Sequence, residues 1–138
     1  MQRKFKYVRR RREHGHVEIA VDVEAMKEIF DYVGQDSRHK SKFLDIVAII
    51  MEGLHNRTLY RREDISKEAK DVTAMRFFVG QENDRIYCKE ISRMDAATRE
   101  PVKIVVLAAL HLHKKSNTLS PVEVGIINKI AGYEYEQG

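Results

Sequence analysis

The residues best suited to chemistry gather where one long apolar segment ends. Pro101 to Lys115 opens as Pro-Val-Lys-Ile-Val-Val-Leu-Ala-Ala-Leu and closes with His111, His113, Lys114 and Lys115. Imidazole titrates near neutrality and can move protons, and a lysine ammonium supplies a fixed point of positive charge. Two further cations, Arg76 and Arg85, sit in strand-like stretches that precede this segment. Together such groups could grip an anionic substrate and transfer a proton beside it.

The elements that must position these groups follow from periodicity. The Val/Ile/Leu-rich run from Pro101 predicts a strand buried on both faces, in the middle of a sheet. Val72 to Val79 alternates, with Met75, Phe77 and Val79 on one side and Ala74, Arg76 and Phe78 on the other. Gly80 to Asp84 reads as a turn and Arg85 to Ser92 as the returning strand of a hairpin. Ile86 and Cys88 should then face inward, leaving Arg85, Tyr87 and Lys89 on the opposite side with Arg76. A slip of one residue would turn all of them over.

Upstream, His16 to Asp22 predicts a first strand, with Asp22 as N-cap of a helix whose apolar face is Met26, Ile29, Phe30 and Val33 and whose stop is Gly34. A second helix is expected from about Ser37 to Leu54, buried through Phe43, Ile46, Val47, Ile50 and Leu54. Arg38, His39, Lys40 and Lys42 crowd its first turns against the helix dipole, where a bound anion or plain solvation would suit them. Residues 55–71 and 93–100 read as polar surface connections. Ser120, Pro121 and Glu123 form a proline-reinforced capping box, which predicts a last helix with Val122, Ile126, Ile127, Ile130 and Ala131 on its apolar face and Gly132 at its end.

The expected fold is α+β: a small antiparallel sheet of about four strands, two N-terminal helices packed on one face, and a C-terminal helix. Residues 1–15 read as a flexible basic arm and 16–138 as one domain.

Charge is unevenly spread. Of the 25 basic residues, Arg3, Lys4, Lys6, Arg9, Arg10, Arg11 and Arg12 lie in the first twelve positions, leaving 18 against 21 acidic residues elsewhere. The sequence pI of about 9.2 is therefore a property of the arm. Polyanion binding must rest on local patches such as Arg9 to Arg12. The lone Cys88 cannot form an internal disulfide, and the pair His14 and His16 is too small a donor set for a metal. No cofactor is implied. No apolar run is long enough to span a membrane, and the N-terminus lacks the apolar core of a secretory signal, so a cytoplasmic protein is expected.

Two arginine-bearing strands, an apolar strand ending in Lys-Lys, a Ser/Thr-rich loop and a proline-started helix resemble the RelE/ParE/HigB-type toxins of bacterial toxin–antitoxin modules. The matching pieces are Ala-Met-Arg-Phe-Phe with Arg76, Asp-Arg-Ile-Tyr with Arg85 and Tyr87, and Leu-His-Leu-His-Lys-Lys-Ser-Asn-Thr-Leu-Ser-Pro with Lys114 and Lys115. The likeness covers Val72 to about Ile127. It departs at Leu112, where the family usually has an aromatic residue, and at Leu110, where it has a histidine, so that His111 stands one place displaced.

The resemblance implies a RelE-like fold and a metal-independent, ribosome-dependent mRNA endoribonuclease restrained by a cognate antitoxin. Arg76, Arg85, Tyr87, His111 and His113 would be its catalytic groups. Lys89, Lys114, Lys115 and Arg9 to Arg12 would hold RNA phosphates. Two other readings stay open: a non-enzymatic, protein-binding toxin of the same fold, as in gyrase inhibitors, and an adaptor that holds nucleic acid through its basic arm. Oligomeric state is not legible.

Overall fold

The computed structural model describes residues 2–11, 15–112 and 120–138. His113, Lys114, Lys115, Arg12 and His14 lie outside them. In chain order the elements are β1 (Gln2–Arg9), β2 (Val17–Asp22), α1 (Met26–Val33), α2 (Ser37–Met51), β3 (Tyr60–Arg62), β4 (Val72–Phe77), β5 (Asp84–Met94), β6 (Pro101–His111), α3 (Pro121–Ala131) and β7 (Glu134–Gln137). The strands form one seven-stranded sheet in the order β3-β4-β5-β6-β2-β1-β7.

The expected small, four-stranded antiparallel sheet is therefore overturned. The sheet is larger and mixed: β2 pairs with β6, and β1 with β7, in parallel. Three strands escaped the sequence pattern. In β1 the apolar side of Arg-Lys-Phe-Lys-Tyr is hidden among cations, yet Phe5 is fully buried and the segment zips onto β2. The strands β3 and β7, of three and four residues, are too short to show a period. β6 holds the central position that its two-faced apolar run predicts.

The helices also divide differently from the expectation of one covered face. α1 and α2 pack on one side through Ile29, Val33, Phe43, Ile46 and Ile50, against Ile19, Val21, Met75, Phe77, Ile86, Cys88, Val105 and Leu107. α3 covers the other side, where Ile127 and Ile130 meet Val72, Ala74, Tyr87, Ile104 and Val106. The inward stripe of the β4–β5 hairpin is thus the α1/α2 side, and Arg76, Arg85 and Tyr87 share a side with α3.

Capping follows the rules in two helices of three. Ser120 and Glu123 make the reciprocal capping box of α3. Asp36 caps α2, its Oδ1 accepting from the His39 backbone N–H at 2.8 Å. Asp22 does not cap α1, which starts after Ala25 with no side-chain cap. Instead Asp22 is buried, accepting from Arg3 Nε, the Tyr135 hydroxyl and the Glu24 backbone N–H. Two of the basic residues in the first turn of α2, Arg38 and His39, have partners within the chain. Arg38 lies 3.6 Å over the Phe78 ring and pairs with Glu82, and the His39 ring packs edge-on between Tyr32 and Phe78. Leu54, expected in the buried stripe, is exposed.

The Asp36 carboxyl is held below the ordinary aspartate range, chiefly by the His39 N–H and next by the His39 ring. A lowered folded-state pKa stabilises the fold above the unfolded pKa, and that contribution is lost as pH falls through the folded one. Asp36→Ala should accordingly flatten the acid limb of a stability-versus-pH curve, measured as urea midpoints from neutral to acid pH. An acid limb identical to the parent's would show that the cap carries no linkage.

Candidate functional site

Three of the residues picked out from sequence fall on one rung of the sheet. Arg76 of β4 is the register partner of Arg85 of β5, and Arg85 is the partner of His111 of β6. Side chains opposite one another on adjacent antiparallel strands stand about 5 Å apart at Cβ. Arg76, Arg85 and His111 therefore form a continuous row at one end of the α3 face. The turn that closes the hairpin holds Phe78 and Asn83 at positive φ, and the Asn83 side chain accepts from the Gly80 N–H.

A β-bulge decides which β6 residue completes the row. Below it Cys88 pairs with Leu107, and above it Tyr87 pairs with Ala109, so Ala108 is the extra residue. Without that insertion Leu110 would face Arg85 and His111 would turn to the α1/α2 side. The extra residue reverses the alternation for the last three positions of the strand.

Electrostatically the row is unusual. Arg76 is 8% exposed and Arg85 2%. Among the described residues neither guanidinium belongs to an ion pair. Their hydrogen bonds go to main-chain oxygens, Arg85 Nη1 to Asp84 O at 3.0 Å and Arg76 Nη1 to Arg57 O at 3.4 Å. Arg76 Nε is buried with no hydrogen-bond partner among the described residues. Burial, followed by the repulsion of Arg85 and Arg61, lowers the Arg76 pKa, and burial is also the first cause for Arg85, partly offset by Tyr87, Glu63 and Glu123. Removing charge from water without a close counter-ion costs several kcal/mol. Buried charges of this kind occur both at functional sites and in structural networks.

Tyr87 and His111 flank the guanidiniums, their ring centroids 6.5 Å apart. Tyr87 is fully buried, and its hydroxyl donates to Glu123 Oε2 at 2.8 Å. Burial and that acceptor push the phenol well above its ordinary range. Tyr87 therefore keeps its proton at neutral pH and offers no open ring face to a base. It links the row to the first turn of α3. Glu123 was legible in the sequence only as a capping residue. Its second task, accepting from Tyr87 across 36 positions of chain, has no local signature.

Comparison with protein-family models, with curated proteins and with solved structures found no match.

The remaining expected binding residues that are described, Lys89 and Arg9 to Arg11, are not at the row. Lys89 shares its face but reaches the other way, donating to Ala131 O and Tyr133 O at the end of α3. Arg9 ends β1, Arg10 pairs with the buried Glu18, and Arg11 pairs with Asp95. Glu18 of β2 pairs with Ile104 of β6, seven positions from His111. At about 3.3 Å per residue those arginines lie roughly 23 Å from the row. One phosphate cannot touch both groups.

Two clefts lie elsewhere too. One of about 690 Å³ is lined by Val17, Leu44, Val47, Ala48 and Met51, and a neighbouring one of about 230 Å³ by Tyr60, Glu90 and Lys103. Both lie against α2, on the opposite face. Among the described residues no group of three or more His, Cys, Asp or Glu is placed to hold a metal ion, and no helix is long and apolar enough to cross a membrane.

Proposed function

We propose that this protein is the toxin component of a toxin–antitoxin module, a metal-independent endoribonuclease that cuts messenger RNA on the ribosome. The single observation that carries the reading is the row Arg76–Arg85–His111, with two buried guanidiniums that join no ion pair among the described residues beside an imidazole. RNA cleavage by transesterification needs the ribose 2′-hydroxyl deprotonated, its oxygen bonded to the adjacent phosphorus, and the bond to the 5′-oxygen broken as that oxygen takes up a proton. His111 is the group on the row that can accept the first proton. Arg76 and Arg85 would face the non-bridging phosphate oxygens and hold the charge that builds there. Tyr87, held by Glu123, would fix the spacing of the row.

The bulge adds support. Against the resembled family the histidine of this chain is displaced by one position, and an extra residue at Ala108 absorbs a displacement of that size. A cognate antitoxin would be needed to restrain the activity in the cell, where the protein would act in the cytoplasm.

The test is cleavage of ribosome-bound message by purified protein, with His111→Ala as the comparison. The variant should cut roughly 10²- to 10⁴-fold more slowly at an unchanged thermal midpoint. Intact message in the presence of folded parent protein would overturn the proposal and favour a binding-only toxin.

A further inference from the structure

On the α3 face, at the end of the sheet remote from the row, two exposed arginines lie over aromatic rings. Arg10 Cζ lies 3.8 Å from the Tyr7 ring centroid, and the Arg10 side chain is 61% exposed. Arg93 is exposed, and its Cζ lies 5.2 Å from the centroid of Phe5, whose ring in turn meets Tyr7 edge-on. Both arginines spend hydrogen-bond donors inward: Arg10 Nε on Glu18, and Arg93 Nη2 on Tyr135 O at 2.8 Å. Both side chains nevertheless stay exposed to solvent.

Resting on the RNA-cleavage reading, we infer that Tyr7, Arg10 and Arg93 form a stacking platform for unpaired RNA that flanks the linkage held at the row. A guanidinium fixed on an aromatic ring has already lost its rotamer freedom, and its open face suits a nucleobase. Acidic peptides would instead need the bidentate edge, which these arginines have partly committed. Position agrees with this choice. Arg93 is the β5 partner of Val102, and Arg10 binds the Glu18 that pairs with Ile104, so both stand near the start of β6, whereas His111 ends it. One face thus presents a gripping end and a stacking end separated by roughly 23 Å of strand, a span of several nucleotides. Arg3, by contrast, lies over Tyr133 but is bound to the buried Asp22 and is mostly covered, so it serves the fold.

Fluorescence anisotropy tests this with two labelled unpaired RNAs, one long enough to reach both ends of the sheet and one trinucleotide. For Arg10→Ala/Arg93→Ala, the loss of affinity for the long RNA should exceed the loss for the trinucleotide by about tenfold or more, the size expected when stacking contacts are removed. Since Arg10 also neutralises Glu18, Arg10→Lys/Arg93→Lys serves as the variant that keeps both charges. It should stay folded by thermal midpoint and still lose most of that length-dependent gain. Equal losses on both RNAs, full retention by the lysine variant, or equal competition by a polyglutamate peptide would each overturn the platform. Parent protein that binds neither RNA would instead overturn the RNA-cleavage reading itself.

Discussion

Arg85→Met is expected to melt above the parent protein and to cut no RNA. The side chain is almost wholly buried, donates to a single main-chain oxygen among the described residues, and has a pKa lowered first by desolvation. A methionine of similar length occupies the same space without the cost of a buried charge. Replacing a whole buried ion pair by apolar groups is commonly neutral or stabilising. Arg85 joins no ion pair among the described residues, so its removal should likewise stabilise by about 1 to 2 kcal/mol, several degrees in Tm for a chain of this size. Cleavage should meanwhile fall by roughly 10²- to 10³-fold, the usual loss when one preorganised donor to a developing charge is removed. Arg76→Met should behave alike. The pair should gain less stability than the sum, because each guanidinium raises the cost of the other. Differential scanning calorimetry beside a cleavage assay reads both quantities. A destabilised Arg85→Met would mean that the guanidinium is a structural tie and that the row is not strained in favour of a ligand.

The largest loss of stability is expected at Asp22→Ala. This carboxylate is fully buried and accepts from Arg3 Nε at 2.6 Å, the Tyr135 hydroxyl at 2.7 Å and the Glu24 N–H at 2.8 Å. It joins β2 to β1 and β7, the three strands beyond the central β6. Removing it strands a partly buried guanidinium and a buried hydroxyl together, at about 3 to 5 kcal/mol. Urea midpoints measure the change. Tyr135→Phe, which removes one neutral donor, should cost only about 1 kcal/mol. An Asp22→Ala variant within 1 kcal/mol of the parent would show that this side of the sheet stands without the network.

The same carboxylate illustrates how sequence reading succeeds and fails. An aspartate four positions before the first helical residue, Met26, reads locally as an N-cap, and the long-range partners that claim it, Arg3 and Tyr135, lie 19 and 113 positions away. Arg10 and Arg11 gave the same false impression of a free cationic arm. Their acids, Glu18 and Asp95, are brought to them by the pairing of β1 with β2 and by the reach of the β5–β6 connection. Local charge counts cannot anticipate such neutralisation, because it depends on which strands lie side by side.

Elements with strong local signals were legible. The strands from Val17, Val72, Asp84 and Pro101, the three helices and the capping box of α3 all follow from periodicity and terminal residues, since side-chain alternation and helix-end donors are properties of a few consecutive residues. The alternation also put Arg76 and Arg85 on one side of the hairpin, while their standing as direct register partners came only from the strand pairing. Tertiary structure alone settled the parallel docking of β2 on β6, the helices on both faces, and the bulge at Ala108 that sets His111 rather than Leu110 beside Arg85. These are outcomes of packing between distant segments, where shape and burial choose among pairings that the local pattern leaves equal.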